Sequence, residues 1–304
     1  MQHEDWLKSV VRDEVDAVAA GLAEQPRWLN QFVPLGEDDT EAGEEAPAEP
    51  ELLRGGVMVQ AGASAPKTGG WGGTGLMVLP LHVAAAAGAV GVMRVLVEAG
   101  GAVECRTRHG SGLYGRETPM HLAASAGHVA VVAWLLGQKA SAAVLDADSA
   151  WPIHRAAAAG HAAVVGVLLG DAFEGAGGGV IAGNAGLEAR DGQGRTPLHV
   201  AIRGTGEPAG NSGERVAKAL DVVDRLIAGG AEVDATCPKE AEAFTALHRC
   251  VSQGDAWRPV AERIIKAGAD VTLRDPRHER TAGELAESLG LARYRELLAT
   301  PPTG

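Results

Sequence analysis

A four-residue motif that returns at nearly regular intervals constrains this chain more than any other feature. It has the form Thr-Pro-X-His, where X is apolar, and five copies keep the histidine. They occupy residues 79–82, 118–121, 151–154, 196–199 and 245–248. The histidines are 39, 33, 45 and 49 residues apart, and a sixth copy, 36 residues further on, has Glu284 in the histidine position. Such a period predicts units that must stack on one another to bury their apolar faces.

The second unit shows why such a segment forms two helices. Thr118 can cap a helix N-terminus, and Pro119 suits the first helical position. Gly127 is expected to end this helix, because glycine readily adopts the left-handed conformation found after many helices. Apolar residues then return at helical spacing. They are Val129, Val132, Leu135 and Leu136. The unit therefore predicts a helix, a turn and a second helix.

The extended motif Thr-Pro-Leu-His-X-Ala and the unit of about 33 residues resemble the ankyrin repeat family. The resemblance covers residues 79–299. It implies an all-α repeat solenoid, an ankyrin-type stack of helix-turn-helix units with hairpin fingers. It also implies that the motif histidines bond locally and tie neighbouring units together.

Some units depart from the family's pattern. The first unit lacks the motif threonine, and in the third unit Trp151 replaces it. The fifth unit has Ala246 in place of proline and Cys250 where alanine is usual. We expect less regular packing at these units. The last segment, 281–299, is interpreted as a polar C-terminal cap. Its expected exposed residues are Glu284, Glu287, Arg293, Arg295 and Glu296.

Histidine and cysteine are the residue types that would most readily carry metal or catalytic chemistry here. Five of the ten histidines occupy the motif, and His128 and His161 fall in the family's Gly-His turn. The three cysteines, Cys105, Cys237 and Cys250, are widely spaced, and no Cys-X-X-Cys occurs. No nucleophile is paired with a base. We therefore predict no catalytic residue, no metal site and no cofactor, hence a protein that is not an enzyme. The odd cysteine count favours a cytoplasmic location, with the nucleus as the alternative.

Charge divides the chain into segments. Residues 36–53 hold eight acids and no base, whereas residues 79–304 hold 25 acids and 22 bases. Much of the net charge of −12 thus lies in one stretch, and this acidity discourages binding to nucleic acid. We expect an N-terminal amphipathic helix within 1–35, an acidic and glycine-rich linker over 36–75, five repeats and a capping repeat over 76–299, and a tail over 300–304. A degenerate repeat that begins near residue 51 is an alternative interpretation of the linker.

Two further segments leave a choice. Residues 4–24 form one apolar helical face, which either caps the first repeat or docks a partner. This face consists of Leu7, Val11, Val15, Val18 and Leu22. The windows 76–93 and 118–137 carry no Asp, Glu, Lys or Arg and are long enough to span a membrane. Their proline, histidine and glycine residues predict two short helices with a turn instead, so we expect no membrane insertion.

The family resemblance implies that the chain binds another protein through finger tips and the concave face of the first helices. The concave positions of the first three units are small residues, so we expect the binding energy at the fingers, where interfaces favour Trp, Tyr and Arg. The candidates are Arg106, Arg108, His109, Tyr114 and Arg116 in one finger, Asp146, Asp148 and Trp151 in the next, and Arg190, Asp191, Gln193 and Arg195 in a third. Two functions stay open. One is a monomeric, non-enzymatic adaptor or scaffold. The other is a regulatory or substrate-targeting subunit of an enzyme complex, with the N-terminal helix docking the effector.

Overall fold

A computed structural model describes residues 2–31, 33–35, 76–109, 116–170, 186–203, 212–237, 244–276 and 278–299. Within this part the chain divides into two compact units. The first ends at Ala147 and the second begins at Asp148. Of the predicted segments, the acidic and glycine-rich stretch 36–75 and the tail 300–304 lie outside the described residues.

The first unit is built, where it is described, from helix pairs. Its helices are α1 (His3–Val11), α2 (Val15–Glu24), α3 (Pro80–Ala87), α4 (Val90–Glu98), α5 (Pro119–Ala126) and α6 (Val129–Gly137). The first helices of successive pairs pack side by side, α1 on α3 and α3 on α5. The second helices do the same, α2 on α4 and α4 on α6. Small residues such as Ala84, Ala85, Ala123 and Ala124 are fully buried, which lets the helix backbones approach closely.

The second unit repeats this plan. Its helices are α7 (Pro152–Ala159), α8 (Ala162–Leu169), α9 (Pro197–Arg203), α10 (Ser212–Ala228), α11 (Ala246–Ser252), α12 (Arg258–Lys266), α13 (Ala282–Ser288) and α14 (Ala292–Ala299). Successive first helices α7, α9, α11 and α13 pack in sequence, and so do the second helices α8, α10, α12 and α14. A short 3-10 turn, Asp255–Trp257, precedes α12. The helix pairs predicted from the repeats are therefore confirmed in each unit.

The N-terminal segment forms two helices where the apolar face over 4–24 predicts one. The chain turns at Asp13, which has a positive φ of 57°, and α2 folds back on α1. Trp6 is fully buried, its indole donates to the carbonyl of Val18 at 3.1 Å, and its ring lies 5.4 Å from that of Trp28. The Asp13 carboxylate accepts a hydrogen bond from the backbone N–H of Val92 at 2.7 Å, near the start of α4. This hairpin therefore covers the first repeat.

Three short strands lie on the finger side of the first unit. They are β1 (Val33–Leu35), β2 (Leu76–Val78) and β3 (Arg108–His109), antiparallel in the order β1-β2-β3. Leu35 pairs with Leu76, and Leu76 also pairs with His109. The two ends of the stretch 36–75 are therefore held side by side, next to the finger that begins with β3.

The helix ends follow the sequence signals. Helix α5 ends at Ala126, and Gly127 adopts the predicted left-handed conformation with a φ of 82°. At the other end of the chain, Thr281 and Glu284 close a reciprocal capping box at the start of α13. All five residues predicted to be exposed in the C-terminal cap are exposed. Tyr294 is buried beneath them, and its hydroxyl donates to the carbonyl of Cys250 at 3.2 Å.

Candidate protein-binding surface

The motif histidines fix the start of each first helix in the repeats. The Nδ1 atoms of His82, His121 and His154 accept a hydrogen bond from the backbone N–H three residues earlier, at 3.1, 3.2 and 3.1 Å. Where a threonine stands three residues earlier, its hydroxyl also lies 2.8 or 2.9 Å from Nδ1. The imidazole thus supplies an acceptor that the helix start needs.

The other ring nitrogen reaches the following repeat. Nε2 of His82 lies 3.2 Å from the carbonyl oxygens of Cys105 and Glu117, and Nε2 of His199 lies 3.2 Å from that of Phe244. Because carbonyl oxygens only accept, Nε2 carries the proton and donates. Both nitrogens are used when the ring is neutral. The predicted role of these histidines as ties between units therefore agrees with the geometry.

Burial keeps these rings neutral. It lowers the pKa of His82 to about 4 and that of His199 to about 4, because the charged imidazole loses its hydration. The Cys105 sulfur lies 3.7 Å from Nε2 of His82, which brings a thiol and an imidazole together. Burial raises the pKa of the Cys105 thiol to about 12, however, so both members of the pair stay neutral near pH 7. The pair therefore lacks the thiolate that a nucleophilic cysteine requires.

Two finger arginines, one in each unit, brace their fingers. Nη1 of Arg106 donates to the carbonyl of Arg116 in its own finger at 3.0 Å and to that of Leu145 in the next finger at 2.7 Å. Arg190 repeats this arrangement in the second unit, with bonds of 2.9 and 2.6 Å to one carbonyl in its own finger and one in the next. These bonds orient the guanidinium groups without cancelling their charge.

The finger carboxylates have mainly internal partners. Asp191 is buried, and its Oδ1 accepts from the backbone N–H groups of Gln193 and Arg195 at 2.9 Å each. The Arg195 side chain donates to Oδ2 at 2.7 Å. Asp146 is also buried, with 2% of its surface exposed. Both carboxylates are therefore shielded from solvent, and their part in binding stays a prediction.

Two further finger acids, which were not predicted from the sequence, link each finger to the next. Oε1 of Glu104 accepts from the backbone N–H of Ser141 at 2.7 Å, and Oε1 of Glu188 accepts from that of Glu232 at 2.7 Å. Each acid stands two residues before a bracing arginine, so the pattern Glu-X-Arg at equal positions of two fingers is the signal that could have found them.

Trp151 stands at the N-cap of α7, as the motif predicts. Its backbone N–H is bonded to Nδ1 of His154, while its indole makes no capping bond. The side chain is half-buried. Asp148, three residues earlier, forms an ion pair of 2.9 Å with Arg155 on α7. Arg155 is not among the residues predicted from the sequence.

The remaining candidates are distributed as follows. Arg108, Arg116, Asp148, Arg190 and Gln193 are exposed, whereas Arg106 and Arg195 are half-buried. Tyr114 and the side chain of His109 lie outside the described residues. The structure brings Arg106 to Arg116 and Asp191 to Arg195.

Two kinds of feature are missing from the described part of the chain: a cluster of metal ligands and a helix that could span a membrane. Over those residues, no three or more His, Cys, Asp and Glu side chains cluster as metal ligands would. Among the helices described there, none combines the length and the apolar character that a membrane crossing requires.

Two protein-family models match the chain. The model described as ankyrin repeats (3 copies) matches residues 76–146, which contain α3 to α6. The model described as ankyrin repeat matches residues 193–238, which contain α9 and α10. No curated protein matches the chain. The matched stretches carry three of the five histidine-bearing helix starts and the paired helices that follow them. The fold is therefore the predicted stack of ankyrin-type helix pairs, and the chain carries ankyrin repeats over 76–146 and 193–238.

Proposed function

We propose that this chain is a non-enzymatic adaptor or scaffold that binds a partner protein through its fingers and the adjoining ends of the first helices. Ankyrin repeats are in general protein-binding modules, and this supports the class of function. The observation that carries the proposal is the half-buried indole of Trp151, which stands at an N-cap position where the motif has a small capping side chain.

The Trp151 side chain does not cap the helix that follows it. A threonine at this position would supply a hydroxyl to the helix start, and its absence costs about 1 kcal/mol. The backbone N–H of Trp151 donates to Nδ1 of His154, as the N–H of Thr118 donates to His121, so this bond does not require the indole. Tryptophan is among the residues that dominate binding energy at protein interfaces. A partly exposed indole beside the Asp148–Arg155 ion pair therefore fits an anchor with a polar rim.

The test compares two substitutions of one residue. Trp151→Ala should weaken partner binding by about 2 kcal/mol, roughly thirtyfold in Kd. Trp151→Thr should weaken binding as much, yet restore the cap and raise the free energy of unfolding by about 1 kcal/mol. Lys266→Ala, an exposed position on α12, is the control.

A partner is first captured by crosslinking to the full chain and identified by mass spectrometry. Its affinity for each variant is then measured by titration calorimetry, and stability by urea unfolding. If both Trp151 variants bind normally while their stability changes, Trp151 covers a junction of the scaffold, and the proposed anchor is wrong.

The alternative, a targeting subunit whose N-terminal helix docks an effector, has less support. The apolar face of α1 is occupied: Trp6, Leu7 and Val10 are buried against the hairpin and the first repeat. Docking an effector on this face would require the N-terminal hairpin to detach from the first repeat. The three free cysteines fit the reducing cytoplasm, which we propose as the location, and we propose a monomer.

A further inference from the structure

One finger of the first unit carries a concentration of positive charge. Residues 105–116 contain three arginines and no acid, in a chain with 27 basic and 39 acidic residues. We call Arg106, Arg108 and Arg116 the basic finger. Two of them, Arg108 and Arg116, are exposed.

Backbone pairing places the three arginines on the two arms of one finger. The N–H of Thr107 donates to the carbonyl of Glu117 at 2.9 Å, and the N–H of Arg116 donates to the carbonyl of Thr107 at 3.1 Å. These bonds close the finger, so that Arg106 and Arg108 lie on one arm and Arg116 on the other. Arg116 is exposed and has a positive φ of 57°.

Glu104 and Glu117 flank the basic finger in sequence, and Asp146 belongs to the next finger. Glu104 accepts the backbone N–H of Ser141, while Glu117 and Asp146 are buried. Among the residues that the structure describes, neither Arg106 nor Arg116 lies within ion-pair distance of a carboxylate. The two carbonyls bonded to Nη1 of Arg106 hold its guanidinium in place, which lowers the entropy that a partner must remove.

Guanidinium groups bind carboxylates and phosphates through paired, parallel hydrogen bonds. Nucleic acid is the less suitable anion, because the isoelectric point of about 5.3 lies far below that of basic nucleic-acid-binding domains. Three cations are also fewer than the six to ten phosphate contacts of a typical DNA-binding protein. A short run of Asp and Glu side chains matches the basic finger better.

We propose that the basic finger binds an acidic segment of a partner protein. The proposal rests on the proposed function, since it names the chemistry of a partner that the fingers would bind. Arg108 and Arg116 supply the exposed charges, and Arg106 supplies a guanidinium whose orientation is already fixed. The binding is electrostatic, so it weakens as salt increases.

The test uses the full chain and a fluorescein-labelled deca-glutamate peptide, followed by fluorescence anisotropy in 50 and 200 mM NaCl. Arg108→Glu with Arg116→Glu should weaken binding at least tenfold. The control, Arg12→Glu with Arg94→Glu, places the same charge change on exposed positions of the same unit outside the finger. Each double variant changes the net charge by −4, from −12 to −16, so the control should stay within about twofold of the unmodified chain. Melting temperatures check that both variants fold.

Four results would overturn the proposal. One is the absence of peptide binding up to 1 mM. Another is an equal loss in both double variants, which would show a general effect of net charge. The third is tighter, finger-dependent binding of a ten-residue oligothymidylate, which would assign the finger to nucleic acid. A captured partner that depends on Trp151 but is indifferent to the basic finger would leave the proposed function standing and this inference refuted.

Discussion

Two buried histidines, His82 and His199, make the stability of this protein sensitive to mild acid. Burial lowers the pKa of each to about 4, whereas an exposed histidine titrates near 6.5. Between these two values the unfolded chain binds more protons than the folded chain, so acidification favours unfolding. A proton on Nδ1 of His82 would also face the backbone N–H that now donates to it.

We therefore expect the contribution of the neutral histidines to be complete above about pH 6.5 and to be lost as the pH falls towards 4. The expected slope is about 1.4 kcal/mol per pH unit for each histidine. Urea unfolding at pH 7.5, 6 and 5 measures it, above most of the range in which carboxylates titrate. His199→Gln should be less stable at pH 7.5 and should show a shallower pH dependence. An unfolding free energy that stays constant from pH 7.5 to 5 would contradict this account.

Two aspartates of the second unit should differ sharply when each is replaced by alanine. Asp191→Ala leaves two backbone N–H groups and the Arg195 guanidinium without their acceptor, and should cost roughly 2–3 kcal/mol. Asp148→Ala removes one exposed ion pair and should cost less than about 1 kcal/mol. Urea unfolding of both variants provides the comparison. Similar costs would mean that the bonds of Asp191 contribute no more than a surface pair.

Among the helices and strands, the repeats were predictable and the N-terminus was not. Pro119 and Gly127 delimit α5 through local backbone preferences, which a single sequence displays. The break between α1 and α2 depends instead on Asp13 reaching Val92, a contact between residues 79 positions apart. The apolar spacing over 4–24 suits a continuous helix equally well, so the sequence pattern alone does not reveal the turn.

The N-terminal hairpin offers a prediction about close packing. A Cβ atom added at Gly21 would lie 2.3 Å from Cδ1 of Trp6, so Gly21→Ala must displace the indole from its buried position. We expect a loss of 1–3 kcal/mol, the usual cost of overpacking. Gly213→Ala on α10, where nothing lies within 4 Å, should be neutral or slightly stabilising. Thermal unfolding and Trp fluorescence measure both effects. An unchanged emission spectrum in Gly21→Ala would show that the hairpin accommodates the methyl group.

For the whole molecule, the ankyrin-type repeats were predictable from the motif, whereas the surroundings of the finger residues were not. The sequence shows that Arg106, Asp146 and Asp191 are charged, but it does not show how far each is buried or what Arg106 contacts. Arg106 bonds a carbonyl 39 positions away, and the two aspartates are buried. Charge in a finger therefore separates into bracing and exposed groups only once the next finger is in place.

The paired strands β1 and β2 flank the stretch 36–75 on both sides. Because Leu35 and Leu76 are register partners, the two residues that flank 36–75 lie next to each other in the sheet. The entropy of joining two fixed ends grows slowly with length, by about 0.6 kcal/mol for each doubling. The pairing of Leu35 with Leu76 therefore places only a weak entropic constraint on the number of residues between them. The sheet therefore fixes where the connection between β1 and β2 begins and ends, but it does not fix how many residues the connection contains.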